Sequence, residues 1–110
     1  MMTESEFRRE SDTALETLNR QLGIIAENYD AEVMFQNGVL TIEVEEPNSG
    51  KIVVSPNAPV RQIWISALST SFKLDWDAKA GTFVLARTGE ALMALLDRLI
   101  LERSEDKQRA

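Results

Sequence analysis

Two stretches of helical periodicity enclose a middle region in which apolar and polar residues alternate. Apolar residues recur every three or four positions over residues 7–25, after a Thr3 and Glu6 pair that matches the capping-box pattern of a helix start. A second such stripe over residues 92–99 predicts a closing helix, with Thr88 as its N-cap residue. Between them, about six short segments have every second residue apolar, which is typical of strands with one buried face.

The alternation and the turn residues together predict the sheet. Asn37 and Gly38 form a two-residue hairpin signal, because both residues tolerate a positive φ. The predicted strands cover residues 31–36, 39–45, 51–55, 60–67, 72–76 and 82–86. Short connections make neighbouring strands antiparallel, and one apolar face per strand with one apolar stripe per helix implies two layers. The predicted fold class is α+β: a two-layer sandwich in the order helix, six-stranded antiparallel sheet, helix.

We expect one domain over residues 1–103, followed by a charged tail over residues 104–110 that frays. Thr41, Glu43, Gln62 and Trp64 are predicted to share the side of the sheet that the helices leave open.

Trp64 is the residue that packing does not explain. Ile63 and Ile65 point toward the predicted core, whereas Gln62, Trp64 and Ser66 point to the opposite side. Exposing a large apolar ring has no benefit for folding. Two interpretations follow: the ring anchors a docking partner, or a loop or helix of the same chain covers it.

Composition excludes several kinds of chemistry. The 110 residues contain no Cys and no His, so a disulfide, a Cys/His zinc site, a thiolate nucleophile and a Ser/His/Asp triad are ruled out. Carboxylates remain as metal ligands, and they favour hard cations. No apolar run approaches the roughly 18 residues that span a bilayer, and the acidic start lacks the pattern of a secretory signal. We therefore expect a cytoplasmic protein.

Charge is distributed unevenly along the chain. The net charge is −6, but residues 1–46 contain eleven acids and three bases, whereas residues 47–110 contain seven acids and nine bases. An acidic half disfavours nucleic acid, whose phosphates need cations, and favours a basic protein surface or metal cations. The alternative is a solvated surface that only aids solubility.

The order of the predicted elements and several short motifs resemble the frataxin family, in particular its short bacterial members. The motifs are Ser-Glu-Phe at 5–7, Asn-Gly-Val-Leu-Thr-Ile at 37–42, Asn-Ala-Pro-Val-Arg-Gln-Ile-Trp at 57–64, Asp-Trp at 75–76 and Gly-Glu at 89–90. The resemblance implies an α-β-α sandwich that acts in iron–sulfur cluster assembly. It also implies contacts with the cysteine desulfurase and the scaffold protein that tune sulfur transfer.

The same resemblance implies two kinds of site. Iron(II) or iron(III) would bind weakly to carboxylates near the first helix and strand, for which the candidates are Glu16, Glu27, Asp30, Glu32 and Glu45. Acidic residues near the first helix would meet a basic patch on the desulfurase, and the sheet face would contact the complex through Asn57, Gln62 and Trp64. Where the family often has acids, this chain has Asn19, Gly23, Ile24 and Ala26. We therefore expect weaker iron binding than in relatives.

Three functional hypotheses follow. The first is a non-enzymatic regulator of the desulfurase and scaffold complex that also delivers iron, with ferroxidase-like activity left open by analogy. The second is a protein-interaction adapter with no iron role. The third is a hydrolase that uses a carboxylate pair such as Asp75 and Glu43, although no long loop is predicted to form its pocket. We expect a monomer with neither nucleic acid nor membrane as partner.

Overall fold

The computed structural model of the chain describes residues 2–26, 31–44, 50–67 and 70–109, and the side chains of residues 2–24, 31–43, 50–67 and 70–100. Its elements are α1 (Glu4–Ala26), β1 (Ala31–Gln36), β2 (Val39–Val44), β3 (Gly50–Asn57), a 3₁₀ turn (Ala58–Val60), β4 (Gln62–Ala67), β5 (Thr70–Asp77), β6 (Thr82–Leu85) and α2 (Leu92–Arg109). No helix within these ranges has the length and apolar character to cross a membrane.

The six strands form one antiparallel sheet in which each strand pairs with its neighbours in the chain. Asn37 and Gly38 connect β1 to β2 at φ values of 52° and 77°, and Gln36 pairs with Val39 across the turn. Positive φ at both central residues is the geometry that a two-residue hairpin requires. The hairpin is therefore confirmed, and because both helices share one buried core with this sheet, so is the α+β two-layer fold.

Helix α1 begins as predicted. The Glu6 N–H donates to Thr3 Oγ1 (3.1 Å) and the Thr3 N–H donates to Glu6 Oε1 (3.2 Å), which completes a capping box. Phe7 and Leu22 mark the two ends of its buried stripe, and each is 0% exposed. Ile24, which lies off the stripe, is 69% exposed.

Both helices cover the same face of the sheet, because their apolar side chains join the inward-facing strand residues in a single buried cluster. Phe83 of β6 lies inside this cluster. Its ring packs edge-on against Phe7 at a centroid distance of 5.8 Å and against Trp76 at 5.2 Å. These contacts connect α1 to the last two strands.

The connection from β3 to β4 differs from the prediction. β3 ends at residue 57 rather than 55, and β4 begins at residue 62 rather than 60. The pairing of β3 with β2 extends only to Val54. Pro56, which has no N–H to donate, therefore lies beyond the residues that hydrogen-bond to β2. The 3₁₀ turn Ala58–Val60 follows, and its C-cap residue Arg61 has a φ of 55°, in the left-handed region.

The segment between β6 and α2 also differs from the prediction. The Thr88 hydroxyl accepts the N–H of Glu90 (3.1 Å), and Ala91 forms a bridge with Val84. The chain therefore follows the edge of β6 before the helix begins at Leu92. Thr88 as the N-cap residue is wrong, because this segment is still bound to the sheet.

The buried stripe of α2 matches the prediction at Leu92, Leu95 and Leu96 and differs only at its end. Leu92, Leu96 and Ile100 are buried at intervals of four residues, whereas Leu99 is only half-buried. Ile100 lies on the same face of α2 as Leu92 and Leu96, and Leu99 lies at the edge of that face. The helix extends through residue 109, so fraying of the tail stays a prediction.

One ion pair should make stability depend on pH. Glu90 accepts two hydrogen bonds from Arg98, at 2.8 and 3.0 Å, and these bonds together with one from Thr88 lower the pKa of Glu90 below 4.5. The folded state therefore binds fewer protons than the unfolded state. The resulting stabilisation is present above about pH 4.5 and is lost as pH falls through the folded-state pKa.

In urea unfolding followed from neutral pH to about pH 3, Glu90→Gln should lose less stability on acidification than the wild type. Asp97→Asn, a change at an exposed carboxylate of α2, is the control and should follow the wild type. An equal loss in the wild type and Glu90→Gln would contradict the assignment of this pH dependence to the Glu90–Arg98 pair.

Candidate interaction face

The side of the sheet that the helices leave open carries Trp64. Burial along β4 alternates, with Ile63 and Ile65 buried and the residues between them facing outward. Trp64 is 37% exposed, so within the described residues no loop or helix buries it. Exposure of Trp64 is confirmed. We call this side of the sheet the open face, defined by Gln62, Trp64, Lys73 and Asp75.

Neighbouring side chains hold the Trp64 ring in place. The indole N–H donates to Gln62 Oε1 (2.9 Å), and Gln62 Nε2 donates in turn to Asp75 Oδ1 (3.0 Å). Lys73, directly opposite Trp64 on β5, places its Nζ 5.0 Å from the ring centroid, within the range of a cation–π interaction. A ring oriented before binding loses less conformational freedom when a partner docks.

The three partner-binding residues predicted from the sequence lie together. Asn57 pairs with Gln62, Gln62 pairs with Asp75, and Trp64 is two residues further along β4. All three belong to adjacent strands, because β3 continues through residue 57. Their role in binding a partner stays a prediction.

The predicted metal ligands are dispersed where the structure describes them. Glu16 is exposed on α1, and Glu32 is exposed on β1, whose burial alternates so that Glu32 faces the open side. Because α1 covers the buried face, these two carboxylates lie on opposite sides of the sheet. Glu27, Asp30 and Glu45 lie outside the described residues. Within the described ranges, no group of three or more carboxylates is close enough to hold a metal ion.

A pair of carboxylates occurs instead on the first hairpin. Glu32 pairs directly with Glu43 across β1 and β2, and Lys51 of β3 is opposite Glu43 on its other side. Two like charges across an antiparallel pair repel each other, and a neighbouring cation offsets that repulsion. Such a pair can supply oxygen ligands to a hard cation that keeps several of its waters.

Comparison with known proteins identifies the family. Residues 1–106 match the model of the frataxin-like domain. The chain belongs to the frataxin-like family. The frataxin resemblance predicted from the sequence motifs is thereby confirmed.

Frataxin-like proteins of several bacteria are similar over most of the chain. The iron-sulfur cluster assembly protein CyaY of Azotobacter vinelandii is 28% identical over 102 residues, which are 93% of this chain and 89% of that protein. CyaY of Pseudomonas aeruginosa is 33% identical over 91 residues, covering 81% and 82%. Among solved structures, the frataxin from Psychromonas ingrahamii superposes with a TM-score of 0.69 and 26% identity, covering 94% and 93%.

The frataxin-like fold separates the carboxylates of the hydrolase hypothesis. Glu43 pairs with Lys51, near the start of β3. Asp75 pairs with Gln62, which in turn pairs with Asn57 at the end of β3. Six residues of strand separate those positions, or about 20 Å. Carboxylate pairs that hydrolyse glycosides lie roughly 5–9.5 Å apart. The pair Asp75 and Glu43 is therefore wrong as an acid–base couple.

Two residues of the open face in this frataxin-like chain were not predicted as partner-binding residues. Lys73 and Asp75 contact Trp64 and Gln62 only because β4 and β5 pair in the observed register. The predicted fifth strand started at residue 72, whereas β5 starts at Thr70. Had the sequence prediction started this strand at residue 70, the register between β4 and β5 would have placed Lys73 opposite Trp64.

Proposed function

We propose that this frataxin-like protein serves iron–sulfur cluster assembly, the role for which its CyaY relatives are named, as a non-enzymatic adapter that docks through the open face. The observation that carries the proposal is the Trp64 ring. It is 37% exposed and held by the Gln62 hydrogen bond on one side and Lys73 on the other. An exposed and oriented aromatic ring is typical of the residues that dominate binding energy in interfaces.

The partners in this proposal are the cysteine desulfurase and the scaffold protein, in the cytoplasm. The open face contacts the complex through Asn57, Gln62 and Trp64. The acidic half of the chain contacts a basic surface of the desulfurase. Support for this second contact comes from the eleven acids within residues 1–46, of which those on α1 are exposed or half-buried. Complementary charge of this kind speeds association and orients the partners.

The proposal is tested by titrating the protein into the desulfurase–scaffold complex of the same organism at increasing salt. Calorimetry should show binding that weakens as salt rises, because the screening length falls to about 8 Å at physiological ionic strength. A charge-neutral sugar that raises viscosity and osmolality equally is the control and should leave affinity unchanged. Absence of binding would contradict the proposed function, and binding that is independent of salt would contradict the acidic contact.

A second candidate function is an interaction adapter without an iron role. The dispersal of the described carboxylates favours it, since Glu16 and Glu32 lie on opposite sides of the sheet and no larger group forms within the described ranges. The iron-delivering candidate is favoured by the pairing of Glu32 with Glu43. In that candidate iron is cargo, bound by carboxylate oxygens and water.

An iron titration followed by NMR distinguishes the two. If iron is cargo, weak binding should perturb residues around Glu32, should favour trivalent over divalent ions on charge grounds, and should discriminate poorly among divalent metals. Glu32→Gln and Asp30→Asn should each weaken binding, by about twofold to tenfold. Asp97→Asn, far along the chain in α2, is the matched control.

Two outcomes would contradict this placement of iron. A tight, iron-selective site would not fit an arrangement of exposed oxygen ligands. Binding that neither Glu32→Gln nor Asp30→Asn reduces would show that the metal lies elsewhere. No perturbation at millimolar iron would favour the adapter without an iron role.

A further inference from the structure

The two edge strands of the sheet, β1 and β6, are protected to different extents. The Leu85 N–H donates to the Glu90 carbonyl (2.8 Å), and Ala91 forms a bridge with Val84, so the chain covers part of the free side of β6. Among the described strands, only β2 pairs with β1. The backbone N–H and C=O groups on the outer side of β1 are therefore available to a strand of another molecule.

The hairpin geometry identifies which backbone groups these are. Gln36 and Val39 flank the two-residue turn, in which the carbonyl of the first residue accepts the N–H of the fourth. The backbone groups of Gln36 therefore face β2, as do those of every second residue before it. The pairing runs from residue 31 to residue 36 without a bulge. Val33 and Phe35 consequently direct their N–H and C=O groups to the free edge.

The side chains of β1 do not protect this edge. The strand reads Ala-Glu-Val-Met-Phe-Gln, with one charge and neither lysine nor proline, the residues that commonly prevent pairing at an edge. Val33 and Phe35 are only partly buried against the core, and Met34 is 42% exposed on the opposite side. Both faces of β1 therefore offer apolar side chains to a neighbouring strand.

The sequence of β1 is complementary to itself in one antiparallel register. With Met34 opposite Met34 of a second copy, Val33 lies opposite Phe35, and Glu32 lies opposite Gln36. Opposed residues point to the same face of a sheet, so the helices of both copies stay on one side. Val33 and Phe35 are also the residues whose backbone groups are free, and each such pair exchanges two hydrogen bonds.

Charge favours this register over its neighbours. Glu32 of one copy meets the neutral Gln36 of the other, whose amide donates to carboxylates. The two Glu32 residues are then four strand positions apart, or roughly 14 Å, beyond the screening length of about 8 Å at physiological ionic strength. A register centred on Val33 would bring them to about 8 Å. One centred on Glu32 would set the two carboxylates directly opposite each other, which is destabilising.

We propose that β1 is a self-association site, through which two copies of this chain pair antiparallel about a twofold axis at Met34 and form one continuous sheet. Each copy contributes one short strand, so the dimer is weak, and the monomer expected from the sequence is the form at low concentration. Trp64 on β4 is three strands from β1, or roughly 14 Å, so the open face stays accessible. This inference goes beyond the proposed function and holds whether or not the protein serves cluster assembly.

The test follows the full chain by sedimentation and NMR from about 50 µM to about 1 mM, the range in which a weak dimer dissociates. The average mass should rise with concentration, and amide shifts should concentrate in residues 31–36. In a mixture of labelled and unlabelled chains, isotope-filtered NOEs should connect the Hα of Glu32 to the Hα of Gln36 in the other copy. A monomeric mass throughout, or shifts concentrated around Trp64 instead, would overturn the proposal.

A lysine at the twofold axis tests the site. Met34→Lys should weaken self-association by about fivefold, because it sets two like charges opposite each other. Val60→Lys, the same kind of change at a 51% exposed residue of the 3₁₀ turn, is the control and should not weaken it. Both variants make the net charge of −6 less negative, so neither increases the overall repulsion between copies. Equal self-association of the two variants would overturn the proposal.

Charge at Gln36 tests the register. Gln36→Lys, which faces Glu32 of the second copy, should strengthen self-association by about twofold to fivefold, whereas Gln36→Glu should weaken it by a similar factor. Gln21→Lys and Gln21→Glu make the same changes at an exposed position of α1 and are the controls. A gain in Gln36→Lys cannot result from a failure to fold. Effects at residue 36 no different from those at residue 21 would show that only net charge is at work and would overturn the proposed pairing.

Discussion

Replacing Trp64 with alanine is expected to weaken binding to the desulfurase–scaffold complex by about 30-fold, the equivalent of a hot-spot loss of roughly 2 kcal/mol. The melting temperature should change little, because the ring is 37% exposed and lies on the face opposite the core. Affinity is measured by calorimetry, and stability by thermal unfolding of the isolated protein.

Two further variants define the origin of that effect. Met34→Ala removes another exposed apolar side chain of the open side, 42% exposed on β1, and should change affinity little. Gln62→Met removes the acceptor of the indole hydrogen bond and should weaken binding by less than Trp64→Ala, because the ring remains but is less well oriented. A large loss of stability with unchanged affinity in Trp64→Ala would show that the ring serves folding rather than docking.

Phe83→Ala is expected to cost about 3–5 kcal/mol of the free energy of unfolding. The Phe83 side chain is 0% exposed, and its ring contacts both Phe7 of α1 and Trp76 of β5, so truncation leaves a cavity that joins two layers of the fold. Domains of this size are typically stable by only about 5–15 kcal/mol. The variant should therefore unfold at a much lower urea concentration than the wild type.

Val84→Ala, the adjacent change on the opposite face of the same strand, is the matched control. Val84 is only half-buried, and its replacement should cost about 1 kcal/mol or less. A loss in Phe83→Ala no larger than that in Val84→Ala would mean that the aromatic contacts do not organise the core.

The sequence by itself determined the elements whose signals are local. The capping box of Thr3 and Glu6, the turn of Asn37 and Gly38 and the alternation around Trp64 each depend on residues within a few positions of one another. Periodicity of side chains is a direct consequence of helix and strand geometry, so the two layers and the exposed face could be predicted. The family could be identified for the same reason, since its motifs are short and ordered along the chain.

Only the tertiary structure decided which side chains of different strands meet. Lys73 and Asp75 reach Trp64 and Gln62 through the register of β4 and β5, a property of hydrogen bonding between strands and not of either strand alone. The same is true of Glu32 and Glu43, which the hairpin brings together, whereas Glu16 is kept apart from them by the sheet. The alternation assigns an exposed charge to one side of the sheet, but which charges meet depends on strand register and on how the layers pack.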